Sequence, residues 1–168
     1  MSKSKILFQV SGSIAAYKSC FVISQLVQKG HSVKIACSSD ALRFVGEPTF
    51  EGLSGSPVFT DIYESGRAMD HIELAKWADV SVLCPATANT LNQLANGIAQ
   101  NCLGNLFLAY DLSKPYLVFP AMNGKMLHHP TTQESLKKLQ GWGVKVFETD
   151  TGYLACGDTS EGRLLEPE

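Results

Sequence analysis

Apolar residues occur in this chain as short, dense runs, each followed by small or polar residues. The first run is Ile6 to Val10, which leads into "SGS". Beyond it the apolar positions take helical spacing at Ile14, Phe21, Val22 and Leu26, and the stretch closes at Gly30. That succession predicts a strand, a tight turn, a helix and a helix-ending glycine. "HSVKIACSS" predicts a second strand, and "DVSVLCPATANT" a third, followed by a helix over Asn89 to Gly97. "PYLVFPAMN" and "GVKVFET" predict a fourth and a fifth. The runs hardly alternate with polar residues, as in strands covered on both faces. Strands alternating with helices form right-handed βαβ units. The expected fold is therefore α/β, one doubly wound, Rossmann-like parallel sheet flanked by helices. The Gly/Ser/Pro-rich stretch Gly46 to Pro57 reads as an excursion from that sheet. No repeat or linker interrupts the pattern, so residues 1–168 are expected to form a single domain.

Composition narrows the partners. A length of 168 residues suits one sizeable core. A net charge of −2 offers no field for nucleic acid or an anionic membrane surface. No apolar run is long enough to span a bilayer. The cysteines Cys20, Cys37, Cys84, Cys102 and Cys156 are odd in number, without CxxC spacing or a nearby histidine cluster. Neither a disulfide framework nor a metal site is expected. Without a secretion signal, the expected compartment is cytoplasmic. His128 and His129 read as a solvated turn, and Trp77 and Trp142 as core or interface residues.

Ligands of doubly wound sheets bind beyond the carboxyl ends of the strands. Here those ends carry Ser11-Gly12-Ser13, Cys37 to Ser39, Pro85 to Thr90 and Pro120 to Asn123. Any one of these turns could be an ordinary helix cap. Four on one sheet edge describe a mononucleotide pocket better, although the first turn is neither GxGxxG nor a Walker A loop. Flavin mononucleotide (FMN) would suit it, with one phosphate, a polyhydroxyl chain and a flat apolar ring. Near the end, "TGYLACGDTSEGRL" (Thr151 to Leu164) holds three glycines and reads as a mobile loop, a flap over about residues 151–165. A cysteine there, Cys156, is a candidate for chemistry rather than packing.

Three motifs carry a resemblance. "PATANT" resembles the PASANT motif of the homo-oligomeric flavin-containing cysteine decarboxylases, and "PAMNGKML" their PxMNxxMW motif. "ACGDTSEGRL" resembles the ACGDxGxGRM flap of one branch, the phosphopantothenoylcysteine decarboxylases of coenzyme A synthesis. "SGSIAAYK" and "HIELAKWAD" are also similar to that branch, so the likeness runs from about Lys5 to Leu165. Departures are Thr87 for serine, Leu127 for the final tryptophan, Ser160 for glycine, Leu164 for methionine, and Gln100-Asn101 for a commonly acidic pair.

The resemblance implies non-covalent FMN at a subunit interface of a homo-oligomer, a trimer or a dodecamer built of trimers. It places Gly12, Ser13 and Ser38 near the phosphate, Thr87, Asn89 and Thr90 on the flavin, and Met122 by the ring. It makes His71, Asn123 and Cys156 the catalytic set, with Asn123, Ala155, Gly157 and Arg163 on the substrate, 4'-phosphopantothenoylcysteine. The implied reaction needs a flavin to oxidise the thiol, so that the carboxylate lies β to C=S and CO2 can leave. Reduction of the resulting enethiol to 4'-phosphopantetheine needs a proton on carbon, the role assigned to Cys156. His71 would handle or position a proton at neutral pH. Asn123 would hold the carboxylate without the excess stabilisation a lysine would give the ground state. Two alternatives stand beside this: oxidative decarboxylation of a peptide's C-terminal cysteine, and a non-catalytic flavin-binding regulatory subunit. The chain would be either a standalone decarboxylase or part of a fusion with the substrate-making ligase.

Overall fold

Residues 3–167 are described by a computed structural model. Five strands, β1 (Lys5–Val10), β2 (Ser32–Cys37), β3 (Val80–Ala86), β4 (Tyr116–Pro120) and β5 (Lys145–Val146), form one sheet in the order β2-β1-β3-β4-β5. Every pairing in it is parallel. The expected doubly wound sheet is the one observed.

Helices cover both faces, and alternate strand residues divide between two cores. Ile6, Phe8 and Val10 share one core with Ile35, Val82 and Ile23 of helix α1 (Ala16–Gln28). Leu7, Leu83 and Val118 face the other core. There they meet Leu74 of α3 (Asp70–Trp77), Leu91 of α4 (Ala88–Ala95), Leu106 of α5 (Cys102–Ala109) and Leu139 of α7 (Pro130–Gly141). Each fully buried Phe or Leu contributes about 1.5–3 kcal/mol, so the two cores fix the sheet before any polar contact is counted. Polar groups interrupt them, among them buried Gln9, which donates through Nε2 to Ser81 Oγ (2.7 Å) and Tyr116 Oη (2.9 Å).

Three expectations change. Gly46 to Pro57 is not an irregular excursion but contains helix α2 (Glu47–Ser54), with Pro48 in its first turn and Gly55 ending it at φ 68°. Phe50 anchors α2 in the α1 core. The fifth strand is two residues rather than the whole of "GVKVFET", because it lies at the sheet edge and pairs only with β4. The flap is a hairpin, not an open loop: β6 (Asp150–Tyr153) and β7 (Thr159–Arg163) pair antiparallel, leaving Leu154 to Asp158 as the turn. Two of its glycines serve backbone conformations that other residues resist, Gly157 in the turn at φ 92° and Gly162 at φ 106°. The short helix α6 (Gly124–Leu127) follows β4 and packs beneath this hairpin.

Candidate functional site

The strand ends converge as the hydroxyl-rich turns suggested. Thr87 Oγ1 caps α4 by accepting from the Thr90 amide at 3.3 Å. Ser38 Oγ accepts from Ala41 N, and Ser13 Oγ from Ala15 N. The cap role is thus real at Thr87; Ser13 and Ser38 instead close the turns ahead of their helices, whose N-cap residues, Ala15 and Asp40, make no side-chain cap bond, and all three side chains border cavities. Ser11, named with its turn but not assigned a ligand, joins two of the turns. Its hydroxyl donates to Pro85 O at 2.7 Å and accepts from Thr87 N at 3.0 Å.

A cavity of about 320 Å³ opens at this edge, lined by Gly12, Ser38, Thr87, Asn89, Thr90 and Met122. Sequence reasoning missed three further lining residues, Asp40, Asn101 and Met126. Asn101 had a visible signal, since its side chain caps α5 by accepting from Gly104 N. Gly12 is obligatory here: a Cβ on it would come within 2.5 Å of Asp40 Cβ and 3.0 Å of the Asp40 carbonyl carbon. The cleft combines hydroxyl and amide side chains, the first turn of α4, and Met122 and Met126 as a soft apolar wall. Those are the donor and surface types that a phosphate, a polyhydroxyl chain and a flat ring require.

A second cavity, about 360 Å³, shares Ala121 and Met122 with the first and lies under the hairpin. Ser13, expected beside the phosphate, lines this one instead, with Asn123, Ala155, Cys156 and Arg163. Asn123 caps α6 through Oδ1, which accepts from Lys125 N at 2.8 Å. That bond fixes the amide, and its Nδ2 donates to Cys156 Sγ at 3.3 Å. The Cys156 thiol in turn donates to Asp158 Oδ2 at 3.5 Å. Two residues that sequence reading paired from positions 33 apart are in contact. Gly157 forms the turn, its amide donating to Leu154 O, and lines neither cavity.

The hairpin is held to the cleft by backbone. Met122 N donates to Gly162 O at 2.9 Å, and Gly162 N to Thr149 Oγ1 at 3.1 Å. A Cβ on Gly162 would stand 2.1 Å from Met122 O, and one on Gly124 would stand 2.9 Å from Ser160 Oγ. Strand β7 therefore seats flush on the Met122–Gly124 turn.

Cys156 is exposed, whereas the other thiols are packing residues. Burial pushes the Cys84 and Cys102 thiols up to about 12 and raises Cys37 further. His71 stands apart. It sits in the first turn of α3, lines neither cavity, and its buried Nδ1 has no hydrogen-bond partner among the described residues. One chain thus unites Asn123 and Cys156 but not the expected third member. His129 is not a free turn residue but the cap of α7, and His128 Nε2 lies 2.8 Å from Glu161 Oε2 of β7. Trp77 packs against the core beneath Lys34, and Trp142 lies half exposed beside Phe107. Among the described residues no three His, Cys, Asp or Glu side chains could share a metal ion, and no helix is long and apolar enough to cross a membrane.

Known proteins resemble this chain in sequence and fold. The coenzyme A biosynthesis bifunctional protein CoaBC of Bacillus subtilis is 41% identical over 170 residues, covering 100% of this chain and 41% of that protein. The chain thus spans about two fifths of the length of that relative. Of solved structures, a phosphopantothenoylcysteine (PPC) decarboxylase mutant, C175S, complexed with pantothenoylaminoethenethiol superposes with a TM-score of 0.88 at 31% identity. The match covers 99% of this chain and 93% of that one. The FMN binding protein AtHal3 gives 0.84 at 32% identity, covering 99% and 91%. The Flavoprotein family model matches residues 1–168. With a cap-lined cleft at the strand ends and a match along its whole length, the chain belongs to the Flavoprotein family.

Proposed function

We propose that this chain is an FMN-dependent decarboxylase that converts 4'-phosphopantothenoylcysteine to 4'-phosphopantetheine and CO2. One observation carries the reading. Asn123 and Cys156 touch in a cavity that shares Ala121 and Met122 with the cap-lined cleft. A carboxylate-binding amide and a thiol acid beside a flavin cleft are the parts this reaction needs. The relatives' names, a coenzyme A biosynthesis protein and a PPC decarboxylase, agree with it.

The cleft fits a flavin mononucleotide: Gly12, Ser38, Thr87, Asn89 and Thr90 supply its polar partners, and Met122 its apolar wall. When bound, the flavin supplies reversible two-electron oxidation next to the substrate thiol. The chain's residues do the rest. Asn123 Nδ2 orients the departing carboxylate, and the hairpin excludes water. Cys156 holds the proton that must reach carbon. The residues 1–168 act as one flavoprotein domain with the hairpin as its substrate flap.

His71 lines neither cavity, so it would act in a neighbouring copy's site. Ile14, just ahead of α1, and Tyr17 and Phe21 on it are more than half exposed; Ile14 and Tyr17 line the flap cavity, as does exposed Tyr153. The exposed apolar residues support a homo-oligomer, which we take to be a trimer or a larger assembly of trimers; the compartment we assign is the cytoplasm. Contact between Asn123 and Cys156 favours the full reaction over oxidative decarboxylation of a peptidyl cysteine, which stops at the enethiol and needs no acid. It also disfavours a non-catalytic regulatory role.

The test mixes the yellow holoprotein, and its Cys156→Ser variant, with 4'-phosphopantothenoylcysteine and reads the products by mass spectrometry. Wild type is expected to give the saturated thiol and the variant a product two hydrogens short. If both give the unsaturated product, the oxidative reaction is the better reading. A colourless protein that changes nothing would leave a binding module.

A further inference from the structure

Among the described residues, the charged ones lining the flap cavity are two cations, Lys18 and Arg163. Lys18 is buried on α1, an unusual place for an ammonium group. Its Nζ donates to Leu164 O at 3.2 Å and to Glu166 Oε1 at 2.8 Å. The Arg163 guanidinium, its stem lying against Gly152, donates through Nη2 to the same Oε1. Glu166 lies outside the cavity lining and its side chain is 43% exposed. Two positive charges therefore share one carboxylate oxygen at the edge of a cavity that is otherwise mostly apolar.

We propose that Lys18 and Arg163 form the anion-binding end of the flap cavity, with Glu166 as an internal counterion that a phosphate monoester displaces. This rests on the decarboxylase reading for the identity of the substrate. The charge count favours the exchange. A carboxylate leaves one of the two cations uncompensated, whereas a phosphate dianion neutralises both and offers three acceptor oxygens. Displacement is cheap because Glu166 is largely solvated where it stands, while Lys18 keeps its bond to Leu164 O. The cations lie in the same cavity as Asn123 and Cys156, so one ligand can present its carboxyl end to Asn123 and its phosphate to the pair. The pair would then select the phosphorylated substrate over its dephosphorylated form.

The experiment measures kcat/KM for 4'-phosphopantothenoylcysteine and for pantothenoylcysteine with holoenzyme, Arg163→Gln and Glu166→Gln. The ratio of the two is the readout. Arg163→Gln is expected to lower the ratio about tenfold, and Glu166→Gln to raise it about threefold, since the competitor is gone. A ratio unchanged within about twofold in both variants overturns the proposal. So does a fall in both, which would make Glu166 only a clamp on the chain after β7. Calorimetric binding of 4'-phosphopantetheine against pantetheine to the same three proteins needs no turnover. Loss of all turnover with the binding preference and its variant pattern intact would sink the decarboxylase reading and leave the anion site standing. Turnover without any preference for the phosphorylated compound would do the reverse.

Discussion

Replacing Gly162 by alanine tests the backbone joint between the hairpin and the cleft. The residue sits at φ 106°, where an L side chain costs about 1–2 kcal/mol. Its new Cβ would lie 2.1 Å from Met122 O, a contact between backbone atoms that no rotamer can relieve. Strand β7 must lift, and the Met122 N to Gly162 O bond at 2.9 Å is lost, about another 1 kcal/mol. The sum is about 3 kcal/mol, and it falls on the hairpin rather than on the sheet, whose cores do not include Gly162. The Met122 amide is the natural reporter because it is the donor of the broken bond. By native-state hydrogen exchange it should open about 100-fold more readily in Gly162→Ala, at 1.4 kcal/mol per tenfold. Amides of β1 and β3 should keep their protection. A Met122 amide whose exchange changes less than about threefold would refute the argument that this backbone contact seats the flap.

Other outcomes follow from the same geometry. Gly12→Ala pushes Asp40 into the cleft, so the protein should fold but retain flavin at least about tenfold more weakly, checked by absorbance after gel filtration. Brief alkylation of native protein should place a single adduct on Cys156, read by peptide mapping, because burial holds the Cys37, Cys84 and Cys102 thiols protonated. The hydrogen bond from Lys18 holds the Glu166 carboxyl below its usual 4.5. A depressed folded value means stability that is present above pH 4.5 and is lost as pH falls through the folded value. Melting curves of Glu166→Gln should therefore show a shallower loss of stability than wild type over the acid range below that pH.

The sheet was legible because its strands are covered on both faces, so their burial appears directly as continuous apolar runs. The hairpin was not, since residues 150–163 alternate polar residues with glycines and contain little that a core would select. Its order comes from docking contacts, Met122 N to Gly162 O and Gly162 N to Thr149 Oγ1, which the local residue pattern does not reveal. Helix α2 did announce itself, through Pro48 in its first turn and Gly55 at its end, but a Gly/Ser-rich composition masked both. In the site, Gly12, Ser38, Thr87, Asn89, Thr90 and Met122 gather as their turns implied. Asp40 and Lys18 were invisible, because an acid after a strand and a lysine in a helix look like solvated charges until tertiary neighbours are known. Contact between Asn123 and Cys156 was legible only through the resemblance, never through spacing.

The partition made by Ala121 and Met122 has a consequence for how such a protein can change. Every hairpin residue that meets either of these two cavities meets only the one beneath the hairpin, and the turns after β2 and β3 meet only the other. On the proposed function, the hairpin's substrate contacts and the cofactor contacts of the β2 and β3 turns thus lie in separate stretches of chain, residues 150–164 on one side and 38–40 with 87–90 on the other. Exchanging the hairpin for one of different length or charge would re-address the chemistry to another thiol while leaving the flavin in place. The two-residue wall is the one place where such a graft has no freedom.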